Sequence, residues 1–290
     1  MAALPKSLWN DPASPKIPAI RLRSHTSVEK PQLLEFSGVF RGRELTVKHR
    51  RLSSGLAPLD DLIDGGIPRG RISEITGRPG SGKTSIAASF AASATHRGEV
   101  AAWLDSSGSF DPESMAAAGV ELRRMLWASM TAASRMPRFA TSLLARRQSA
   151  IVKAAELVLE AGGFGLVVID FGETPRALTH ASALRIARAA ERSGAAVIAL
   201  APWRMCGTFA ALSLAATRAE TSFSRLAPGS PVTFDGLTVD AMIARNKMGG
   251  TGRRVRVRAL IDPIEHKFVE IAELTDSRFS DLAPRVACRS

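Results

Sequence analysis

Apolar residues change their spacing along this chain in a regular order, and that order predicts strands alternating with helices. Residues 69–76 alternate as Arg71-Ile72-Ser73-Glu74-Ile75-Thr76, the two-residue period of a short strand. A glycine-rich turn follows, then a run of good helix formers reaching about residue 96. The next strand is predicted at 99–105, a short helix begins at Pro112, and another strand covers 123–129. A long helix at 137–161 leads into 164–170, an apolar run bounded by glycines that reads as a parallel strand buried on both faces. Helix 181–193 and buried strand 195–201 come next, and Thr208 is predicted to cap a further helix. Beyond residue 237 the pattern turns to strands at 237–246, 253–261 and 267–274, joined by Gly- or Pro-rich turns. The expected architecture is α/β: a mainly parallel central sheet with helices on both faces and an antiparallel C-terminal extension.

Residues 1–50 break this order. They are dotted with Pro5, Pro12, Pro15, Pro18 and Pro31 and become basic toward Arg50, which predicts a largely flexible leader with one short strand at 34–40. The folded core is expected over 51–274, with 275–290 a short tail. A chain of 290 residues, 45% of them hydrophobic, is long enough for one sizeable core. Its formal net charge of +12, from 39 Lys and Arg against 27 Asp and Glu, favours an anionic partner, nucleic acid first. An arginine-rich coding bias would produce the same skew. Cys206 and Cys288 match no metal-ligand spacing and point to a reducing compartment without structural disulfides. No apolar run approaches the roughly 18 residues of a membrane span, and the N-terminus lacks the apolar centre of a signal peptide. A soluble cytoplasmic protein with no membrane partner is expected.

The chemistry concentrates in the turn after the first core strand. Gly77-Arg78-Pro79-Gly80-Ser81-Gly82-Lys83-Thr84, followed by Ser85, has the spacing of a phosphate-binding loop. Small residues let successive backbone N–H groups converge on a polyphosphate, Lys83 reaches the β- and γ-phosphates, and the Thr84 hydroxyl is placed to ligate Mg²⁺. The loop opens a helix, whose N-terminal dipole favours anions. A glycine-rich turn with no ligand is the bland alternative, and the strand–loop–helix context argues against it. Asp170 ends the apolar strand 164–170, where a carboxylate orients Mg²⁺ beside such a loop. A nucleoside triphosphate with Mg²⁺ is therefore the expected ligand.

Several ordered motifs resemble the RecA/RadA recombinase-type ATPase core. They are Leu52-Ser53-Ser54-Gly55-Leu56-Ala57-Pro58-Leu59-Asp60, the stretch from Gly65 to Ile75, the loop itself, and Trp103 to Pro112 after the first helix. Arg245-Asn246-Lys247-Met248 resembles the basic element by which a neighbouring subunit touches the γ-phosphate, so the resemblance implies trans-acting roles for Arg245 and Lys247 and a homo-oligomer. It covers about residues 50–273 and implies a RecA-like P-loop NTPase core with ATP as its nucleotide. Ser107 stands where that family has the glutamate base, and a serine hydroxyl is a poor general base, so weak or absent hydrolysis is expected. Glu173 is the nearby replacement candidate; it reads equally as a solvated loop residue. The adenine-stacking tyrosine corresponds to Ser114, and the γ-phosphate-sensing glutamine falls at or beside Pro202. The DNA-gripping loops look shortened, to 171–177 and 202–207, and no separate C-terminal domain is expected, which argues against strand exchange.

Within that family the chain resembles the ImuA branch, RecA-like accessory proteins of mutagenic translesion synthesis in the SOS response. Met125-Leu126-Trp127, the stretch from Ala154 to Leu166, Ala201-Pro202-Trp203-Arg204 and the stretch from Gly207 to Leu212 carry this resemblance. It implies an ATP-binding accessory role in DNA repair and damage tolerance, with an ImuB-like protein and a DnaE-type polymerase as partners and single-stranded DNA as a further one. The rival expectation is a DNA-dependent ATPase recombinase that forms filaments. For contacts with DNA or a partner, Trp203 and Arg204 share one loop. Arg254, Arg256 and Arg258 share one face of a strand, which reads as a phosphate track or as a solvated edge. Arg135, Arg138, Arg146 and Arg147 sit near the start of a long helix, against the dipole preference. Trp103 and Trp127, on predicted buried strands, are expected in the core.

Overall fold

Strands whose odd and even residues are both apolar must be buried on both faces, and such strands build the centre of this protein. The structure, a computed structural model, describes residues 50–131, 140–225, 232–261 and 268–273. The chain divides into two units, Met1–Val47 and Lys48–Ser290, and every described residue belongs to the second. The leader with its strand at 34–40, the tail at 275–290, Arg135 and Arg138 lie outside the described residues.

In chain order the elements are β1 (Arg51–Leu52), α1 (Ala57–Leu62), β2 (Ile67–Pro68), β3 (Ile72–Thr76), α2 (Lys83–His96), β4 (Val100–Asp105), α3 (Pro112–Ala117) and β5 (Met125–Ser129). They continue with α4 (Ala140–Ala161), β6 (Phe164–Asp170), α5 (His180–Ser193), β7 (Ala196–Ala201), β8 (Ala210–Ser224), β9 (Thr233–Asn246), β10 (Arg254–Ile261) and β11 (Phe268–Glu273). Nine strands form one sheet in the order β11-β10-β9-β8-β3-β7-β6-β4-β5. From β8 to β5 every pairing is parallel, and β9, β10 and β11 add antiparallel ladders.

Alternation sorts the side chains into two cores. Trp103, Leu166, Val168, Ile198 and Leu200 face the side covered by α1 and α2. Their neighbours Leu104, Val167, Ile169, Val197 and Ala199 face the side covered by α4 and α5. Local signals bound the helices. Thr179 caps α5 by accepting from the Ser182 N–H, and Gly194, at a φ of 72°, ends it. Asp111 caps α3, which Pro112 opens.

Three expectations need correction. The segment after Thr208 is not a helix: Thr208 lies in a 3-10 turn, Gly207–Phe209, and Ala210–Ser224 is the long strand β8. Its alanines carry helix propensity worth only tenths of a kcal/mol each. Pairing with β3 on one side and β9 on the other, with Leu212, Leu214 and Ala216 buried in the α2-side core, overrides it. Residues 122–124 form a 3-10 turn, so β5 begins only at Met125. Trp127 is not core: β5 is the edge strand, and the indole is 45% exposed, stacked on Phe110 at 5.1 Å. Trp103 is buried as expected. No described helix is long and apolar enough to cross a membrane.

Candidate nucleotide site

Parallel strands in register deliver their C-terminal ends to one edge of the sheet. Thr76 pairs with Ala201, Leu200 with Asp170, and Asp170 with Asp105, so the glycine loop, Pro202 and both aspartates gather there. The loop turns tightly into α2. Gly82 is its N-cap at a φ of 85°, and a Cβ there would stand 2.2 Å from Val239 Cγ2. A Cβ at Gly77 would stand 2.3 Å from Ser81 Oγ and 2.6 Å from the Ala216 carbonyl oxygen. Only glycine fits either place.

The loop passes a direct test of fit to a phosphate tail. Ser81 is 4% exposed, and its hydroxyl has no hydrogen-bond partner among the described residues, a buried donor that a ligand oxygen would satisfy. Thr84 is exposed one residue beyond Lys83, where its oxygen suits Mg²⁺. The Lys83 ammonium is buried and lies 2.6 Å from Glu173 Oε1, so a carboxylate holds the place an anionic ligand would take.

Asp170 is buried at the end of β6 and accepts the Gly172 N–H at 2.9 Å. Burial pushes its carboxyl up to about 6, with the charge of Asp105 adding to the rise and the Gly172 N–H and Lys83 opposing it. A cation beside it would restore the charged form. Asp105 is fully buried and accepts the N–H groups of Ser107, Gly108 and Phe110 at 2.8–3.0 Å, which fixes the turn after β4. Ser107 Oγ lies 3.2 Å from Asp105 and 2.9 Å from Ser109 Oγ, engaged within its own turn. The Glu173 turn packs against that one, since a Cβ on Gly172 would stand 3.3 Å from Ser107 Cβ. Gln148 on α4 ties the far side of the loop by bonding both the N–H and the carbonyl of Arg176.

Beside the loop runs a groove of about 460 Å³, which begins at Thr84 and Ser85, follows α2, and is closed by Leu56, Ser114 and Met115. A cleft of about 530 Å³ lies on the other side, between the loop, Pro202 and residues 215–218 of β8. Arg218 enters this cleft from β8; a Cβ on Gly80 would stand 3.5 Å from its Nη1. Sequence reasoning missed Arg218 because the segment carrying it reads as helix.

The remaining predicted residues are dispersed. Arg245 and Lys247 lie toward the opposite edge of the sheet: Arg245 bonds the Gly207 carbonyl, and the Lys247 N–H bonds Ala211, whose neighbour Ala210 pairs with Ile72. Burial, Arg245 and Arg71 hold the Lys247 ammonium below its usual value. Neither reaches its own loop. Trp203 is half-exposed, and Arg204 faces the buried Glu74 at 3.7 Å. Arg254, Arg256 and Arg258 share the exposed face of β10 while Val255 and Val257 are buried, as the alternation predicts. Arg256 is held by both oxygens of Asp240, and Arg258 bonds Ser222.

Residues 37–137 match the RecA N-terminal domain family, about a third of the chain. Over 85 residues the chain is 39% identical to Protein RecA of Arthrospira platensis, covering 29% of this chain and 23% of that protein. It is 40% identical over 85 residues to Protein RecA of a Picosynechococcus species, covering 29% and 24%. These matches span about a quarter of the length of the curated relatives. Among solved structures, that of the RadB recombinase superposes with a TM-score of 0.49 at 19% identity, covering 71% of this chain and 95% of that one.

Proposed function

We propose that this protein is an ATP-binding, RecA-like accessory factor of DNA repair and damage tolerance in the cytoplasm, acting in mutagenic translesion synthesis. Nucleotide occupancy would control its assembly with polymerase components, an ImuB-like protein and a DnaE-type polymerase, or with single-stranded DNA. The match of residues 37–137 to the RecA N-terminal domain supports the ATPase ancestry, and the branch resemblance supports the accessory role. Lys83, Ser81 and the amides of the loop bind the triphosphate, and the base lies in the groove closed by Ser114. Thr84 and Asp170 would hold Mg²⁺, which would neutralise phosphate charge there. Arg245 and Lys247, remote from their own loop, would serve a neighbouring copy.

One observation carries the reading: a complete phosphate loop whose lysine is engaged by Glu173, beside a serine turned into its own loop where a base is needed. Such a site binds nucleotide and turns it over slowly. With a nucleotide bound, Lys83 would turn from Glu173 to the phosphates, and the freed carboxylate would orient water. Binding and turnover of ATP, with and without single-stranded DNA, test this in the wild type, Lys83→Ala and Glu173→Gln. Lys83→Ala should weaken ATP binding by about ten- to a hundredfold. Glu173→Gln should bind ATP more tightly and lose the residual turnover. Fast DNA-stimulated hydrolysis by the wild type would overturn the accessory role in favour of a filament-forming recombinase. A wild type that binds no ATP would end both readings.

A further inference from the structure

We infer that Arg218 is a phosphate-reading residue that acts on the nucleotide of its own chain and distinguishes ATP from ADP; the inference rests on the proposed nucleotide site. Strand β8 draws level with the end of β3 where Ala215 pairs with Thr76, and it continues past the loop. Three residues later Arg218 projects beside Gly80 into the cleft lined by Arg78, Ser81, Pro202 and Thr217.

Three observations make this cleft an anion site. The guanidinium of Arg218 makes no hydrogen bond or ion pair with any described residue, as is also true of Arg254 on β10, whereas other arginines of the antiparallel half are engaged. Arg245 bonds Gly207, Arg253 bonds Asp64 and the Asp61 carbonyl, and Arg256 bonds Asp240. Ser81 lines the same cleft, and its buried hydroxyl is also without a partner among the described residues. Arg78, exposed on the loop, adds a second guanidinium to the wall. Two planar cations and a spare hydroxyl suit the terminal oxygens of a triphosphate, which a guanidinium fork grips with two parallel bonds.

The chain needs such a residue. Pro202 stands where the strand next to the loop ends, and its side chain offers no donor to a phosphate. Arg245 and Lys247 lie toward the far edge and supply nothing to their own loop. A terminal phosphate seated on Arg218 would also tie the nucleotide to β8 and, through the β8–β9 ladder, to the antiparallel half of the sheet.

The test measures Mg²⁺-dependent affinities for ATP and ADP on the full chain, in the wild type, Arg218→Ala, Arg218→Lys and Lys83→Ala. Arg218 is exposed, so its replacement leaves the core packing untouched; thermal melts check this. Arg218→Ala should weaken ATP by about tenfold and leave ADP within about twofold of wild type. Arg218→Lys should recover part of the ATP affinity, keeping the charge but losing the fork. Equal losses for both nucleotides, or no loss for either, overturn the inference, as does an effect confined to single-stranded DNA affinity. If the wild type binds neither nucleotide the parent reading fails. If it binds both and only the arginine variants behave as wild type, the parent reading stands and this one falls.

Discussion

Asp170 carries a charge that its buried surroundings oppose. Its folded-state carboxyl is pushed up from 3.8 to about 6, chiefly by burial. The native state therefore holds this proton more tightly than the unfolded chain does. Its contribution to stability is fully present below 3.8 and is lost as pH rises to about 6. At about pH 8 the charged form opposes folding by an amount on the order of 2 kcal/mol. Asp170→Asn keeps an oxygen for the Gly172 N–H while removing that charge. Without nucleotide, this variant should melt a few degrees higher than wild type at about pH 8, with no gain near pH 4. It should also lose most of its Mg²⁺-dependent ATP affinity. Calorimetric melts at both pH values decide the matter; an unchanged melting temperature at high pH would mean the carboxylate is not buried. Asp170 and Lys83 were legible in the sequence because each belongs to a short local pattern. Glu173 was legible only as a candidate, because its ion pair with Lys83 joins residues from separate elements.

Among the elements, the connection from β7 to β8 shows how a polar side chain can replace a helix. Both strands are parallel neighbours of β3, so the chain must return past β3 between them. It does so in residues 202–209, with only a 3-10 turn. Glu74, buried at the middle of β3, holds this crossing. Its carboxylate accepts the N–H groups of Met205 and Cys206 at 2.7 and 2.5 Å and the Ser213 hydroxyl at 2.8 Å. Removing it leaves three buried donors without an acceptor. Glu74→Ala should cost about 3 kcal/mol or more in denaturant unfolding, and Glu74→Gln, which keeps an acceptor oxygen, markedly less. Equal losses for the two variants would show that the negative charge matters more than the acceptors. The period-two alternation of Glu74's strand was visible in advance, but nothing in it reveals what a buried glutamate must bind.

At the scale of the whole molecule, the net charge of +12 is distributed unevenly. The arginine stripe on β10 is partly neutralised by Asp240, whereas Arg78 and Arg218 flank the cleft at the loop edge. Under the proposed function, affinity for a single-stranded oligonucleotide should fall at least about tenfold between roughly 50 and 200 mM salt, since neutralised phosphates release counterions. Fluorescence anisotropy across that range measures the slope. Binding that ignores salt, or none at low salt, would assign the positive charge to another cause.

Local order determined much of this protein. The strand–loop–helix that builds the candidate phosphate site, the apolar strand ending in Asp170 and the alternating arginines of β10 each follow from steric and periodic rules within a few residues. Tertiary structure alone decided the rest. It made an alanine-rich segment the strand β8, because ladder pairing and burial between β3 and β9 outweigh a small helix preference. It left Trp127 on an exposed edge, because strand order is set by packing and not by composition. It also brought Arg218 to the loop and Glu173 to Lys83, meetings between residues ninety or more positions apart in sequence, beyond the reach of any local pattern.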